Sequence, residues 1–342
     1  MRVGVIGGGG WGTALSIVLE SGGHEVRLWV YEADLADRMR RSRVNERYLP
    51  GVALPERIEI TTSLAEAVRG AETVLFVTPS HALRATASRL LEEAPGSLDP
   101  VAWVTVATKG LEARTLRRMS EVLAETLPPP AGERIVVLAG PSHAEEVSKR
   151  IPTLIVAASA DPALAVRTQE TYATDWLRIY TNDDVVGVEL GVALKNVIAI
   201  AAGIADGLGF GDSTKAALLT RGLAEISRLG QRLGARPETF AGLAGMGDLI
   251  ATATSRHSRN RRLGEAVGRG ATLAEALGAS PMVVEGVVTA QAAVALGQRC
   301  GVELPIVEQV HAILHEGKSA RDALRELLTR DLKAETPTLS RR

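Results

Sequence analysis

Arg2–Gly12 reads RVGVIGGGGWG, and the organisation of the chain follows from it. Arg2–Gly7 is a short apolar strand of the buried type. Gly7-x-Gly9-x-x-Gly12 follows at once, and a stretch from Trp11 to about Ser21 reads as a helix closed by Gly22-Gly23. His24–Val30 (HEVRLWV) then reads as a second strand. In this setting each glycine has a task. Gly7 permits the tight turn, Gly9 lets a pyrophosphate approach the backbone, and Gly12 lets the helix pack close to the strand. Free N–H groups and a partial positive charge at the helix start favour phosphate. A dinucleotide site is expected; the plain alternative is a glycine-rich turn with no ligand.

Further strands are expected at Ile58–Thr61, Thr73–Thr78, Val101–Ala107, Ile135–Leu138 and Thr153–Ala158. They alternate with helical stretches at His81–Glu93, Thr115–Leu127 and Pro162–Tyr172. Such alternation predicts a mostly parallel, doubly wound sheet that binds ligands at the carboxyl ends of its strands. Thr78-Pro79-Ser80, Thr108-Lys109-Gly110 and Gly140-Pro141-Ser142-His143 fall at such ends. Lys109 is thereby aimed at the cofactor cleft, unless it is an ordinary solvated loop lysine. Beyond Tyr180 the strand pattern stops. Helices are expected at Val185–Leu208, Ser213–Leu233, Arg259–Gly268, Thr272–Leu277, Val288–Cys300, Ile306–His315 and Ala320–Leu328. The predicted fold class is α/β: a Rossmann-type doubly wound sheet over 1–184, then an all-α domain over 185–332. The tail, 333–342, lacks periodicity and is expected to be frayed.

Composition narrows the function. A chain of 342 residues suits two domains, and 46% hydrophobic residues suit well-packed cores. A net charge of −1 argues against a nucleic-acid partner. One cysteine, Cys300, makes no internal disulfide, which points to a reducing, cytoplasmic setting. The opening residues read as a strand and a turn, not as a secretory leader. Val185–Leu208 has the length of a bilayer span, but Glu189, Lys195 and Asp206 interrupt it, so a buried core helix is expected and no membrane span. No metal is expected.

Lys195 stands on that helix with only apolar or glycine neighbours on its own face: Val188, Gly191, Val192, Ile198, Ala199 and Ala202. Burial would lower its pKa and make it a candidate general acid and base. The bland reading is a lysine that snorkels to water. The chain has six lysines among 39 basic residues, so a lysine in an apolar setting hints at a removable proton, which arginine cannot supply. Gly242–Leu249 (GLAGMGDL) reads as a glycine-rich loop presenting Asp248, which either orients a lysine or caps a helix. Ser255–Arg262 (SRHSRNRR) opens a helix with four arginines and suits a phosphate monoester; the alternative is a solvated basic face. At the end of the second strand, Glu32 favours NAD, while Arg38, Arg40 and Arg41 are within a turn or two and suit the 2′-phosphate of NADP. Both cofactors stay open.

Several motifs together resemble the bacterial type of NAD(P)-dependent glycerol-3-phosphate dehydrogenase, over nearly the whole chain. They are Gly7–Leu15 (GGGGWGTAL), Thr105–Glu112 (TVATKGLE), Gly140–Val147 (GPSHAEEV), Leu194–Gly211 (LKNVIAIAAGIADGLGFG), Thr214–Glu225 (TKAALLTRGLAE), Gly242–Ile250 (GLAGMGDLI) and Ser258–Arg262 (SRNRR). The resemblance implies an oxidoreductase that interconverts dihydroxyacetone phosphate and sn-glycerol 3-phosphate, a small phosphorylated three-carbon pair, and feeds glycerophospholipid synthesis. It implies Lys195 as proton acceptor, with Lys109 and Asp248 beside the reacting centre. It implies substrate contacts at Lys109, Gly140, Ser142, Lys195, Asp248, Ser258, Arg259 and Asn260. Cofactor contacts are implied at Gly7, Gly9, Gly10, Trp11, Gly12, Tyr31, Lys109, Ala144, Arg259, Val283 and Glu285. A homodimer is expected. The chain departs from the family at Tyr31-Glu32, where arginine or histidine is usual, and at Ser213, where asparagine is usual.

Two other readings compete. One is a two-domain dehydrogenase of a hydroxy acid such as 6-phosphogluconate or pantoate, against which the SRNRR and GLAGMGDLI segments speak. The other is a nicotinamide-sensing regulator without turnover, which would need a basic recognition helix that the sequence lacks.

Overall fold

The computed structural model describes residues 1–278, 283–332 and 334–335. Through the first half the elements run β1 (Arg2–Ile6), α1 (Gly10–Ser21), β2 (Glu25–Trp29), α2 (Ala33–Ser42), β3 (Val44–Asn45), β4 (Leu49–Ala53), β5 (Glu59–Thr61), α3 (Leu64–Val68) and β6 (Thr73–Phe76). They continue as α4 (Leu83–Glu93), β7 (Trp103–Val106), α5 (Met119–Thr126), α6 (Pro129–Gly132), β8 (Ile135–Ala139), α7 (Ala144–Val147), β9 (Thr153–Ala158), α8 (Pro162–Tyr172) and β10 (Leu177–Asn182). Eight strands form one sheet in the order β10-β9-β8-β7-β6-β1-β2-β5. Every neighbouring pair is parallel except β8 and β9, so β9 and β10 run against the rest.

The strands are apolar on both faces because both faces are covered. Val3, Val5, Leu28 and Leu75 pack with Ala14, Leu15 and Val18 of α1 on one side. Ile6, Phe76, Val104 and Val106 pack with Leu83, Leu90, Val122 and Leu123 on the other. The chain leaves β1 toward β2 on one side and reaches β6 on the other, so the order reverses at β1, where such sheets open a crevice for ligands.

The second half is helical: α9 (Val185–Gly207), α10 (Asp212–Arg232), α11 (Pro237–Ala241), a π-helical turn (Leu243–Gly247), α12 (Asp248–Thr254), α13 (Arg259–Gly268), α14 (Leu273–Gly278), α15 (Glu285–Cys300), α16 (Pro305–His315) and α17 (Ala320–Leu328). Asp184 caps α9 by accepting from the Gly187 N–H at 2.8 Å. Every residue of α9 from Gly187 to Ala205 is buried. Leu190, Leu194, Ile198 and Ile200 each contribute on the order of 2 kcal/mol by leaving water, enough together to carry one ionisable side chain inside. The one helix long and apolar enough to cross a membrane, among the described residues, is this core helix.

α9 and α13 meet on small residues. A methyl group on Gly203 would stand 2.0 Å from the Arg261 carbonyl oxygen, and one on Gly264 would stand 2.1 Å from that of Ile200. The two backbones therefore touch, and the start of α13 is pressed against the Lys195 helix.

Several elements differ from the sequence reading. Gly242–Leu249 is not a loop: it is the π-helical turn and the start of α12. Gly245 serves close packing, since a methyl group there would lie 2.1 Å from the Phe240 carbonyl oxygen. The helix expected from Thr115 starts only at Met119, because Leu116 takes a left-handed backbone (φ 60°) and Leu111 pairs with Arg118 in an antiparallel bridge. Strand β10, helices α2, α11 and α12 and the β3–β4 hairpin were not expected. Of the expected tail, 333–342, only Ala334 and Glu335 are among the described residues.

Candidate active site

The glycine turn joins β1 to α1 with the backbone its residues require. Gly7 has φ 135°, and a methyl group there would meet the Val77 carbonyl oxygen at 2.8 Å. On Gly12 the methyl would fall 1.9 Å from the Gly7 oxygen, and on Gly10 it would fall 2.6 Å from the Tyr48 oxygen. Gly9 alone of the three fingerprint glycines faces open space, with nothing within 4 Å. A bare backbone at Gly9 beside a helix start is a surface a pyrophosphate fits. The turn is held from behind by Asn45, whose amide donates to the Gly8 carbonyl and to Thr13 Oγ1, both at 2.8 Å. Trp11 and Ala144 pack half-buried against the same apolar cluster, while Tyr31 is exposed and edge-on to Trp29 at 6.0 Å.

The lysine of α9 does not snorkel. Lys195 is 4% exposed, and its Nζ donates to Asp248 Oδ1 at 2.7 Å and to Thr252 Oγ1. The Thr252 hydroxyl lies 3.3 Å from the same carboxylate oxygen. Lys109, from the loop after β7, donates to the other oxygen, Oδ2, at 2.9 Å and to the Gly140 carbonyl at 3.0 Å. One buried carboxylate thus joins two ammonium groups from opposite halves of the chain. Gly191 makes the approach possible, since a methyl there would lie 2.6 Å from the Ala244 carbonyl oxygen of the π-helical turn.

Burial pushes the Lys195 ammonium down to about 8, partly offset by Asp248 and reinforced by Lys109. Burial also pushes the Asp248 carboxyl up, but Lys109 and Lys195 outweigh it and hold it below the usual carboxylate range. Asp248 is therefore ionised at neutral pH, and Lys195 titrates within reach of it.

The predicted phosphate segment divides. Ser258 is buried and caps α13, accepting from the Arg261 N–H at 3.2 Å. Asn260 donates to Asn196 Oδ1 and accepts from the Gly286 N–H, both at 3.0 Å, tying α9, α13 and α15 together. Arg259 is exposed at the helix start and donates to the Val283 carbonyl at 3.0 Å. Arg261 is committed elsewhere: it pairs with Asp206 at 2.7 Å, which also holds Lys215. Glu285 reaches back to the sheet, accepting from the Ser80 N–H at 3.1 Å and from its hydroxyl at 2.5 Å. Ser142 donates to the Gly140 carbonyl at 3.1 Å, and Gly140 (φ 141°) backs onto Ile155. Lys109, Gly140, Ser142, Asp248 and Lys195 thus form one connected group. Asn260 meets it through Asn196, the chain neighbour of Lys195, and Ser258 caps the helix that carries Asn260.

Two residues of the group, Thr252 and Asn196, escaped the sequence reading, and His143 was quoted in its motif without a role. Thr252 lies four positions after Asp248 on one helix face, a spacing that could have revealed it. Asn196 sits beside Lys195 in the chain. His143 ends the β8 loop with Nε2 buried and without a hydrogen-bond partner among the described residues, its ring 6.0 Å from that of His257. Burial, then Lys195, pushes the His143 imidazole below its ordinary range.

Comparison with known proteins places this geometry in a family. Residues 2–165 match the model of the NAD-dependent glycerol-3-phosphate dehydrogenase N-terminus, and residues 184–325 match that of its C-terminus. The chain is 53% identical over 334 residues to a glycerol-3-phosphate dehydrogenase, NAD(P)+, of Geobacter sulfurreducens, covering 98% of each chain. It is 52% identical to the protein of the same name in Citrifermentans bemidjiense, again with 98% of each covered. The crystal structure of a glycerol-3-phosphate dehydrogenase from Coxiella burnetii superposes with a TM-score of 0.90 at 39% identity, covering 96% of this chain and 99% of that one. The Rossmann-type sheet, the helical domain behind it and the two lysines bridged by Asp248 are thus found in a member of the NAD-dependent glycerol-3-phosphate dehydrogenase family.

Proposed function

We infer that this protein is an oxidoreductase acting on a CH–OH group, which interconverts dihydroxyacetone phosphate and sn-glycerol 3-phosphate with NAD or NADP and so supplies glycerol 3-phosphate for glycerophospholipid synthesis. The observation that carries the reading is the buried Lys195–Asp248–Lys109 group beside the carboxyl ends of β7 and β8. When bound, a nicotinamide supplies or accepts the hydride. The chain provides the rest. In reduction, Lys195 gives a proton from Nζ to the oxygen on C2 as that oxygen gains negative charge; in oxidation, neutral Lys195 takes it back. Asp248 holds the ammonium in place and limits the cost of burying it. Lys109 keeps a second positive charge beside the same site and fixes Asp248 from its other oxygen.

Arg259, with the N–H groups at the start of α13, is the proposed phosphate anchor, and Ser258 and Asn260 shape that helix start. An anchor of this kind does no chemistry but holds C2 where it reacts, which lowers the barrier by positioning. Gly7, Gly9, Gly10, Trp11 and Gly12 form the proposed pyrophosphate side; Tyr31, Ala144, Val283 and Glu285 complete the cofactor cleft. We assign 1–184 to cofactor binding and 185–332 to substrate binding and catalysis. The single cysteine supports a cytoplasmic setting.

The test is the initial rate of NADH and NADPH oxidation with dihydroxyacetone phosphate, 2-dehydropantoate and glyoxylate as acceptors. Turnover with dihydroxyacetone phosphate alone is the expected result. Tight cofactor binding without turnover of any acceptor contradicts the reading.

A further inference from the structure

Glu32 lies three residues beyond β2, about 20 residues after the last fingerprint glycine, where an acidic side chain meets the adenosine ribose in such folds. Its carboxylate is held in place. The Tyr48 hydroxyl donates to Oε1 at 2.5 Å, and Arg47 approaches the same oxygen at 3.7 Å. Tyr48 is itself fixed to the cofactor turn: its N–H donates to Asn45 Oδ1 at 3.1 Å, and Asn45 in turn binds the Gly8 carbonyl. The Tyr48 carbonyl oxygen fills the space beside Gly10. Burial, then Glu32, raises the Tyr48 phenol to about 12, so it remains a donor throughout the physiological range. Oε2 has no hydrogen-bond donor among the described residues, which leaves it free to accept from a ribose hydroxyl.

Two of the three arginines that would suit a 2′-phosphate, Arg38 and Arg40, are otherwise engaged. Arg38 pairs with Asp34 at 2.9 Å. Arg40 pairs with Asp37 at 2.7 Å and donates to the Ile60 carbonyl at 3.0 Å. Arg41 has no hydrogen-bond or ion-pair partner among the described residues, but it stands in the last turn of α2, about 13 Å along the helix axis from Glu32 at the other end.

We propose that the Glu32–Tyr48 pair makes this enzyme selective for NAD(H) over NADP(H), with Glu32 reading the adenosine ribose hydroxyls and Tyr48 positioning it. An ionised carboxylate accepts from a 2′-hydroxyl and repels a 2′-phosphate placed against it. The proposal rests on the cofactor-dependent activity inferred above, and its test reads binding separately from turnover.

The experiment is fluorescence titration of the full chain with NADH and with NADPH, together with competition by 5′-AMP and 2′,5′-ADP. The wild-type protein is expected to bind NADH at least about tenfold more tightly, each factor of ten being one modest electrostatic difference. Glu32→Gln is expected to bring the two affinities within about threefold. Tyr48→Phe, which keeps the ring and removes the donor, is expected to narrow the ratio by a smaller factor. Glu32→Ser repeats the first comparison should glutamine disturb the fold. NADPH binding as tight as NADH in the wild type, or a ratio unchanged in both Glu32 variants, overturns the proposal while leaving the dehydrogenase reading intact. Binding of neither dinucleotide, with no turnover, overturns both.

Discussion

Lys195 and Asp248 are joined by an ion pair 2.7 Å long whose side chains are only 5% and 2% exposed. Such a pair is stable only while both members are present, because removing one leaves a charge buried without compensation. Here the asymmetry is sharper, since Asp248 also serves Lys109.

Asp248→Asn therefore leaves two ammonium groups facing one neutral amide. The expected loss is about 3–5 kcal/mol of stability, together with a fall in kcat, because Lys195 loses the group that orients it. Denaturant unfolding and steady-state rates check both. A variant with wild-type stability and kcat would remove Asp248 from the account.

Arg259→Ala separates anchoring from chemistry. The guanidinium is exposed at the start of α13, so its loss should barely affect folding. KM for dihydroxyacetone phosphate should rise by roughly tenfold or more, the scale of a lost charge-assisted contact. An unchanged KM would put the phosphate elsewhere.

Gly264→Val tests the contact of α9 with α13. Even a single methyl at Gly264 stands 2.1 Å from the Ile200 oxygen, so the helices must part. Overpacking of this kind costs about 1–3 kcal/mol. Because Ser258 and Asn260 ride on α13, KM should rise as well. A variant with the wild-type melting temperature and KM would show that the packing is slack.

Glu225 offers a pH test away from the site. It is buried on α10 and accepts from the Ile306 and Val307 N–H groups at the start of α16. Burial pushes its carboxyl up to about 7, against an unfolded value of 4.5. The folded state thus binds the extra proton between those values, and stability falls as pH rises from about 4.5 through 7. Glu225→Gln should remove this contribution and flatten the stability profile across that window. An unchanged slope would show that Glu225 does not titrate there.

How much the sequence revealed depends on how local each feature is. The glycine turn and the buried strands are short, continuous patterns, and they stand in the structure within a residue or two of the expected ends. Strand β10 was missed because it is an edge strand that turns Arg178 and Tyr180 outward, which breaks the buried run. GLAGMGDL looked like a loop because glycine disfavours helices, yet Gly245 is there so that the turn can pack on the Phe240 backbone, and Gly191 of α9 lets that helix approach Ala244. The burial of Lys195 was legible from its helix face. Its partner was open: Asp248 read either as a lysine-orienting carboxylate or as a helix cap, because 53 residues separate it from Lys195 and only tertiary packing closes that distance. The hold of Tyr48 on Glu32 was hidden for a similar reason: the hairpin that carries Tyr48 is too short and too polar to announce itself.

The central claim is that Lys195 exchanges the substrate proton, and the pH dependence of kcat/KM tests it most directly. With an ammonium that titrates at about 8, oxidation of sn-glycerol 3-phosphate needs the neutral amine and should rise with pH to a plateau above that value. Reduction of dihydroxyacetone phosphate needs the ammonium and should fall over the same range. Lys195→Ala should lose both limbs and orders of magnitude in kcat while still binding NADH. Near-wild-type turnover in Lys195→Ala, or the same pH limb with the lysine gone, would contradict the account.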